Sequence, residues 1–322
     1  MTAAAAIRPV ARTRFEKAVI VTRATVLEEL VTRFNTVAQA RFYLEHAGQD
    51  FAPIEAAHQR YHAVLDGVRR LIPKGVKQQV IDRGFLPQYT FDARDFVVTV
   101  GPDGLVVNAA KYLDGQPILA VNPDPEVIEG VLLPFQLKSL PGALAGTLYG
   151  ELRIKQVSMA ETTMNDGQRL LAFNDLFIGA RSHVSARYRI EVDKQGEEQS
   201  SSGIIVSTGA GSTGWLRSVY AGAARVVESL GGEVKAPPHG GRFAWDADRL
   251  IFVVREPWPS KSTGATLAYG AITRDRPLIV TSRMAENGVI FSDGVEADYL
   301  GFIAGRVATI GLADKKARLV VA

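Results

Sequence analysis

Cysteine is absent from all 322 residues of this chain, which excludes disulfides, thiolate metal sites and cysteine nucleophiles together. Apolar runs of bilayer-spanning length are missing too, so no membrane partner is expected. Charge of one sign is also scarce. Lys and Arg number 37 against 34 Asp and Glu, a formal net charge of +3, and the basic residues are scattered. A nucleic acid would find no basic face here, so none is expected as a partner. The Walker pattern G-x-x-x-x-G-K-[ST] does not occur, so any nucleotide phosphates must be held another way.

What is present is an ordinary globular composition, 47% hydrophobic and 22% charged, in a chain long enough for two domains. The opening MTAAAAIRPVARTRFEK has three Arg and one Lys against a single acid, and residues 1–16 read as a flexible tail. With no secretory pattern and no cysteine, the expected location is cytoplasmic.

The stretch that organises the rest is DFVVTVGPDGLVVNAAKYLDGQPILAVN, residues 95–122. Phe96, Val97, Val98 and Val100 read as a buried parallel strand, and Gly101-Pro102-Asp103-Gly104 as a tight turn. Leu105, Val106, Ala109, Ala110 and Leu113 then recur at helical spacing before a second apolar strand, 118–121. Ligands of open parallel sheets bind outside the carboxyl ends of the strands, where Asp103 and Asn122 fall. Upstream, 18–21 reads as a strand, 25–34 and 54–72 as helices, and 79–81 as a short strand. His58 and His62 lie one turn apart on the second helix and could both face a metal. No third ligand is visible near them, so a solvated face is the expectation and no protein metal site is assigned.

Beyond residue 122 strand-length runs follow one another without helices between them: 152–157, 169–173, 176–178 and 188–192, then 251–254, 278–281, 289–291 and 307–310. The succession predicts an antiparallel, β-rich second domain after a Rossmann-like α/β domain with a parallel sheet. The boundary is placed at 135/136, giving domains 17–135 and 136–322, with the last strands able to return to the first domain. Residues 137–150 read as a connection of undefined structure. One helix is expected in the second domain, 212–230, with Trp215, Val219, Ala223, Val226, Val227 and Leu230 on one face.

Two local patterns could hold a ligand. In 201–215, SSGIIVSTGAGSTGW, a strand empties into small residues that open a helix, which gathers N–H groups and hydroxyls for phosphate or other polar oxygens. Gly209, Gly211 and Gly214 match G-x-G-x-x-G literally. That fingerprint requires a βαβ unit, and this one follows expected antiparallel hairpins, so a dehydrogenase is disfavoured. Phe173-Asn174-Asp175-Leu176 sets an amide beside a carboxylate between apolar strands, a donor and acceptor fan suited to a ribose or base edge. Ser292-Asp293-Gly294 reads as a plain turn.

Taken in order, strand, G-x-D-G, helix, strand ending in Asn, Asn-acid between strands and a Gly/Ser/Thr corner opening a helix, the chain resembles the NAD kinase family. Within it the likeness is to the mitochondrial type. It is carried by Val121-Asn-Pro-Asp-Pro-Glu-Val-Ile-Glu-Gly130, Asn174-Asp-Leu-Phe-Ile-Gly-Ala, Ser185-Ala-Arg-Tyr-Arg-Ile-Glu-Val, Ser201-Ser-Gly, Gly211-Ser-Thr-Gly-Trp and Arg255-Glu-Pro257, over residues 94–300. The resemblance implies a fold of the NAD kinase/diacylglycerol kinase-like type, a homodimer or homotetramer, and transfer of the ATP γ-phosphoryl group to the 2′-hydroxyl of NAD's adenosine ribose, with Mg²⁺. It implies Asp103 as the base, with Gly101, Gly104 and Asn122 at the ATP phosphates. It implies Asn174, Asp175, Ser212, Thr213, Gly214, Trp215 and Ser218 at the dinucleotide. Three positions depart from the family pattern. Its Gly-Gly-Asp-Gly-Thr turn reads Gly101-Pro102-Asp103-Gly104-Leu105, which removes one backbone donor and one hydroxyl. Asp175 stands for a Glu, and Ser202 for an Asp found in many members. The alternatives are an NAD(P) sensor that has lost phosphoryl transfer and a kinase for another diol, a sugar or lipid.

Overall fold

Asp95–Val100 is buried at every residue, and it is the strand, β3 below, on which the first half of the protein is laid down. The computed structural model describes residues 13–150, 152–235 and 237–321. The chain forms two compact units, one reaching to Lys155 and resuming at Leu319, the other Gln156–Arg318.

The first unit runs β1 (Lys17–Thr22), α1 (Val26–Phe34), α2 (Val37–His46), α3 (Ala52–Leu71), β2 (Lys77–Asp82), β3 (Asp95–Val100), α4 (Asp103–Lys111), β4 (Pro117–Val121) and α5 (Leu140–Tyr149). Its strands lie in the order β2-β1-β3-β4, all parallel, with Val98 opposite Ile20 on one side and Leu119 on the other. Apolar, β-branched runs form β1, β3 and β4, as in sheets covered on both faces, whereas β2 at the edge, KQQVID, is mostly exposed. α1 begins where the sequence marks it: Thr25 accepts from the Glu28 N–H, and the Glu28 carboxylate accepts from the Thr25 N–H at 2.7 Å, a reciprocal cap.

Several expectations need correcting. α2 was not foreseen; it buries only Ala40 and Leu44, too little to print an amphipathic pattern. Residues 137–150 are not an undefined connection: α5 carries Leu140, Leu144 and Leu148 into the core that holds Phe96, Val98 and Leu119. That packing moves the boundary between the units from 135/136 to Lys155/Gln156. The expected tail lies outside the described residues through position 12. At its end, Phe15 is buried in the same core and the Arg14 N–H donates to the Leu148 carbonyl.

The second unit comprises β5 (Ile154–Met164), β6 (Arg169–Ala172), β7 (Asp175–Ala180), β8 (Ala186–Val192), β9 (Gln195–Ser201), β10 (Ile204–Ser207), α6 (Trp215–Ser229), β11 (Leu250–Val254), β12 (Tyr269–Ile272), β13 (Leu278–Ser282), β14 (Gly288–Ser292), β15 (Val295–Gly301) and β16 (Val307–Val320). One antiparallel sheet has the order β12-β11-β10-β7-β14-β15; in the other, β16-β13-β8-β9 run side by side and β5 pairs with β16 and β6. Ile178, Val206, Phe252 and Ile290 of the first pack with Tyr188, Ile190, Val280 and Ile310 of the second in one core. α6 starts three residues later than expected, after a 3₁₀ turn at Gly211–Thr213. Its expected core face is largely wet: only Leu216 is fully buried, while Val226, Val227 and Leu230 are exposed.

If α5 belongs to the first core, Leu148→Ala, at a site 1% exposed, costs about 2–5 kcal/mol of unfolding free energy. Urea denaturation measures it, and a loss within experimental error would detach α5 from that core.

Candidate active site

In the first unit β3 ends at Val100 and α4 opens on Asp103 after the single linking pair Gly101-Pro102. Pro102 is the residue before the helix, at φ −73° and ψ 170°, so proline fits there without strain. It brings no N–H, and the start of α4 therefore offers one backbone donor fewer to a ligand. The Asp103 carboxylate is half-buried and fixed: one oxygen accepts from the Leu132 N–H at 2.6 Å. Gly104 faces open space. Gly101 is packed against Leu105, whose Cδ2 would lie 2.9 Å from a Cβ there.

Asn122, at the end of β4, spends its side chain on the next loop: Nδ2 donates to the Ile128 carbonyl at 2.9 Å and Oδ1 accepts from the Asp124 N–H at 3.0 Å. One amide hydrogen is left for a ligand. Beside these strand ends lies a cleft of about 430 Å³, with Gly101 and Pro102 in its wall. Val26, Ile54, Tyr61 and Val127 give it an apolar lining, and Arg23, His58 and Asp124 the polar points, a composition suited to a flat ring carrying polar groups. Asp124 is held by Arg60 at 2.8 Å.

In the second unit the Asn174-Asp175 segment is held by a residue read from the sequence as a plain turn. The Asp293 carboxylate accepts from the N–H groups of Phe173, Asn174 and Asp175 at 3.0, 2.7 and 3.2 Å. Thr208 ties the same segment to the glycine corner: its N–H donates to the Asn174 carbonyl, its hydroxyl donates to the Phe173 carbonyl at 2.6 Å, and that hydroxyl accepts from the Gly211 N–H. Two glycines of the corner answer to packing. A Cβ on Gly209 would strike the Ala244 carbonyl, and one on Gly211 would strike the Asn174 carbonyl. Since β10, which feeds the corner, pairs antiparallel with both β7 and β11, the literal dinucleotide fingerprint lacks its βαβ setting.

The remaining corner residues divide by burial. Ser212 is fully buried, donating to the Gly209 carbonyl at 2.7 Å and accepting from the Phe243 N–H, so its hydroxyl shapes the turn. Thr213, Gly214 and Ser218 are exposed, and Ser218 donates to the Gly214 carbonyl at 3.4 Å. Trp215 stacks on Phe177, rings 5.8 Å apart and 10° from parallel, with the Arg255 guanidinium 5.6 Å from its ring. Phe177 and the Arg255 guanidinium thus join the site; both stood in segments that carry the resemblance, without being singled out there as site residues.

Asp175 is the electrostatically unusual group. Its Oδ1 is shut off from solvent and accepts no hydrogen bond among the described residues. Burial first of all, then the charge of Asp293, push its carboxyl from the usual 3.8 up to about 7, against a lowering hydrogen bond from Ser207, its register partner on β10. A carboxyl poised between donor and acceptor forms near neutral pH suits a sugar diol, whose hydroxyls can both give and take a proton.

Comparison with known proteins gives the chain its relatives. The mitochondrial NAD kinase 2 of Rattus norvegicus is 28% identical over 257 residues, 62% of this chain and 60% of that protein. The Homo sapiens protein of the same name is 27% identical over 62% of this chain and 58% of its own length. The yeast NADH kinase, solved with NADH, superposes with a TM-score of 0.60 over 98% of this chain and 88% of its own, at 12% identity. An Archaeoglobus fulgidus NAD kinase, solved with ATP, does so at 0.53, with 17% identity over 94% of this chain and 93% of its own. The chain resembles the NAD kinases and has their fold. No family model matches it. It spans about 60% of the length of the mitochondrial NAD kinases it matches.

Against the NAD kinase pattern, the departure at position 105 has a structural meaning. Leu105 is 2% exposed and packs over Gly101, so a Thr hydroxyl there would be directed into apolar surroundings. The departure at Pro102 is the one that changes what a ligand meets.

A raised folded-state pKa means that the folded protein holds the Asp175 proton more tightly than the unfolded chain does. The resulting stabilisation is complete below about pH 4 and is lost as the pH rises through about 7. Relative to Asp175→Asn, the wild type should therefore lose on the order of a few kcal/mol of unfolding free energy between pH 4 and 8. Urea titrations across that range measure it, and parallel pH profiles for the two proteins would contradict the assignment.

Proposed function

We propose that this chain transfers the γ-phosphoryl group of ATP to the 2′-hydroxyl of the adenosine ribose of NAD, giving NADP and ADP. The observation that carries the reading is Asp103: a carboxylate fixed by the Leu132 N–H, on the first residue of a helix at the carboxyl end of a central parallel strand, next to a ring-sized cleft. An alcohol is a poor nucleophile. The free oxygen of Asp103 orients the 2′-hydroxyl and accepts its proton as the hydroxyl oxygen bonds to the γ-phosphorus and the bond to the bridging oxygen of ADP breaks. Such general-base help is worth about a hundred- to ten-thousandfold.

Gly101, Gly104 and the spare amide hydrogen of Asn122 take the phosphate end. Asn174 and Asp175 hold the dinucleotide's ribose, with Thr213, Gly214, Trp215 and Ser218 on the accessible side of the corner and Ser212 shaping it. Mg²⁺ supplies charge neutralisation at the phosphates. The ion would arrive on the nucleotide phosphates and keep its waters, since Asp124 is engaged by Arg60 and the free oxygen of Asp103 is kept for the hydroxyl proton. The exposed Val226 and Val227 of α6, with Leu230 just past its end, support self-association into a homodimer or homotetramer.

A second reading rests on Pro102. With one helix-start donor removed, a protein that binds NAD or NADP without transferring phosphate is the alternative, and Pro102→Gly separates them: a rise in turnover marks a weakened catalyst.

The test is NADP formation from NAD, ATP and Mg²⁺, read with an NADP-specific dehydrogenase. Asp103→Asn should lower kcat by about a hundredfold or more while NAD still binds by calorimetry. Turnover equal to wild type in that variant would remove Asp103 from the role.

A further inference from the structure

The histidine pair of α3 has a third partner that the sequence did not reveal. Glu28 of α1 comes within hydrogen-bond distance of His62, Nε2 to Oε1 at 3.1 Å, and the ligand atoms of Glu28, His58 and His62 all lie within 4.8 Å of one another. The expectation of a solvated face without a third ligand is therefore corrected. Among the described residues this is the sole cluster of three such groups.

We propose that Glu28, His58 and His62 form a binding site for one divalent transition-metal ion of the zinc class, which pins α1 to α3 at the rim of the cleft. The inference does not depend on the proposed phosphoryl transfer. Two histidines one helical turn apart with a carboxylate from a second element make a His₂-carboxylate set, whose tetrahedral shell keeps one position for water or a ligand atom. With bonds of about 2.0–2.2 Å, tetrahedral donors stand about 3.3 Å apart. The Glu28–His62 pair already has that separation.

Neighbouring contacts prepare each donor. Glu28 uses Oε2 in the cap of α1, accepting from the Thr25 N–H at 2.7 Å, which leaves Oε1 for the ion. The Thr25 hydroxyl lies 3.1 Å from Glu28 Oε2 and 2.8 Å from His58 Nδ1. When it donates to the carboxylate it accepts from Nδ1–H, and that tautomer places the lone pair of His58 on Nε2. A ligating imidazole whose other nitrogen donates to a fixed oxygen is the arrangement that orients metal ligands. The ion takes the place of the proton shared by His62 Nε2 and Glu28 Oε1. Imidazole with carboxylate favours zinc-class ions, whereas Mg²⁺ takes oxygen donors, so the site does not compete for the Mg²⁺ of the nucleotide. Thr25 and His58 also line the cleft, so a bound ion would stiffen one of its walls.

The experiment is calorimetric titration of the full, chelator-stripped chain with Zn²⁺ in excess Mg²⁺, repeated with Co²⁺ to read the visible absorption of the bound ion. One Zn²⁺ per chain is expected, with a rise in Tm. His62→Gln and His58→Gln should each weaken it at least about a hundredfold and abolish the Tm rise. Glu28→Gln should weaken it at least tenfold while keeping the helix cap, since Gln also closes a capping box. His46→Gln, on α2 and outside the cluster, should bind like wild type. Circular dichroism confirms that each variant is folded. Absence of stoichiometric Zn²⁺ in the wild type, or wild-type affinity in folded His58→Gln and His62→Gln, would overturn the site and leave Glu28–His62 as a surface ion pair.

Discussion

Three consecutive backbone N–H groups, those of Phe173, Asn174 and Asp175, converge on the carboxylate of Asp293, and the geometry of the second unit's corner follows from that convergence. Hydrogen bonds to a charged acceptor are stronger than neutral ones, and three to one carboxylate lock the main chain where β7 begins. With that segment fixed, Thr208 can bridge it to the glycine corner, and Gly211 can approach the Asn174 carbonyl closely enough to exclude any Cβ. The perturbed carboxyl is a consequence of the same arrangement. Asp175 is enclosed beside a second acidic group whose charge is needed elsewhere, and it answers by holding its proton.

The first unit is governed by a different constraint. Its inner parallel strands β1, β3 and β4 are buried, so polar chemistry is driven to the strand ends, where backbone and side chains can still be wet. The Gly101-Pro102 link is short enough that Asp103 emerges directly into the first turn of α4, and the loop carrying Leu132 returns to hold its carboxylate. Asn122 anchors the neighbouring loop at the end of β4, and with it the wall of the cleft that contains Val127 and Ile128. Each strand end thus contributes one fixed polar side chain and one loop.

Those features were legible where a local run dictates them. The β3-α4-β4 unit is written as an apolar strand, a turn and a helical period, and α1 as an amphipathic helix from Thr25. α5 was hidden because Pro141, Gly142 and Gly146 read as breakers, although its leucines at 140, 144 and 148 keep helical spacing. β9, QGEEQSS, has almost no apolar residues; pairing with β8 over its whole length makes it a strand. Asp293 was read as a turn because it is one: with Gly294 it takes the left-handed conformations, at φ 56° and 71°, that a tight hairpin demands. The long-range role of its carboxylate leaves no local trace, and neither does the approach of Glu28 to the α3 histidines.

The fold and the fixed Asp103 motivate the proposal of phosphoryl transfer to a ribose hydroxyl. The direct test follows the phosphorus: the wild-type chain is incubated with NAD, Mg²⁺ and ATP labelled in the γ-phosphate, and the labelled product is mapped by phosphorus NMR and selective digestion. The account predicts label on the 2′-oxygen of the adenosine ribose, in amounts that match the ADP formed. Label that stays in ATP, appears as inorganic phosphate, or lands on another hydroxyl would contradict it.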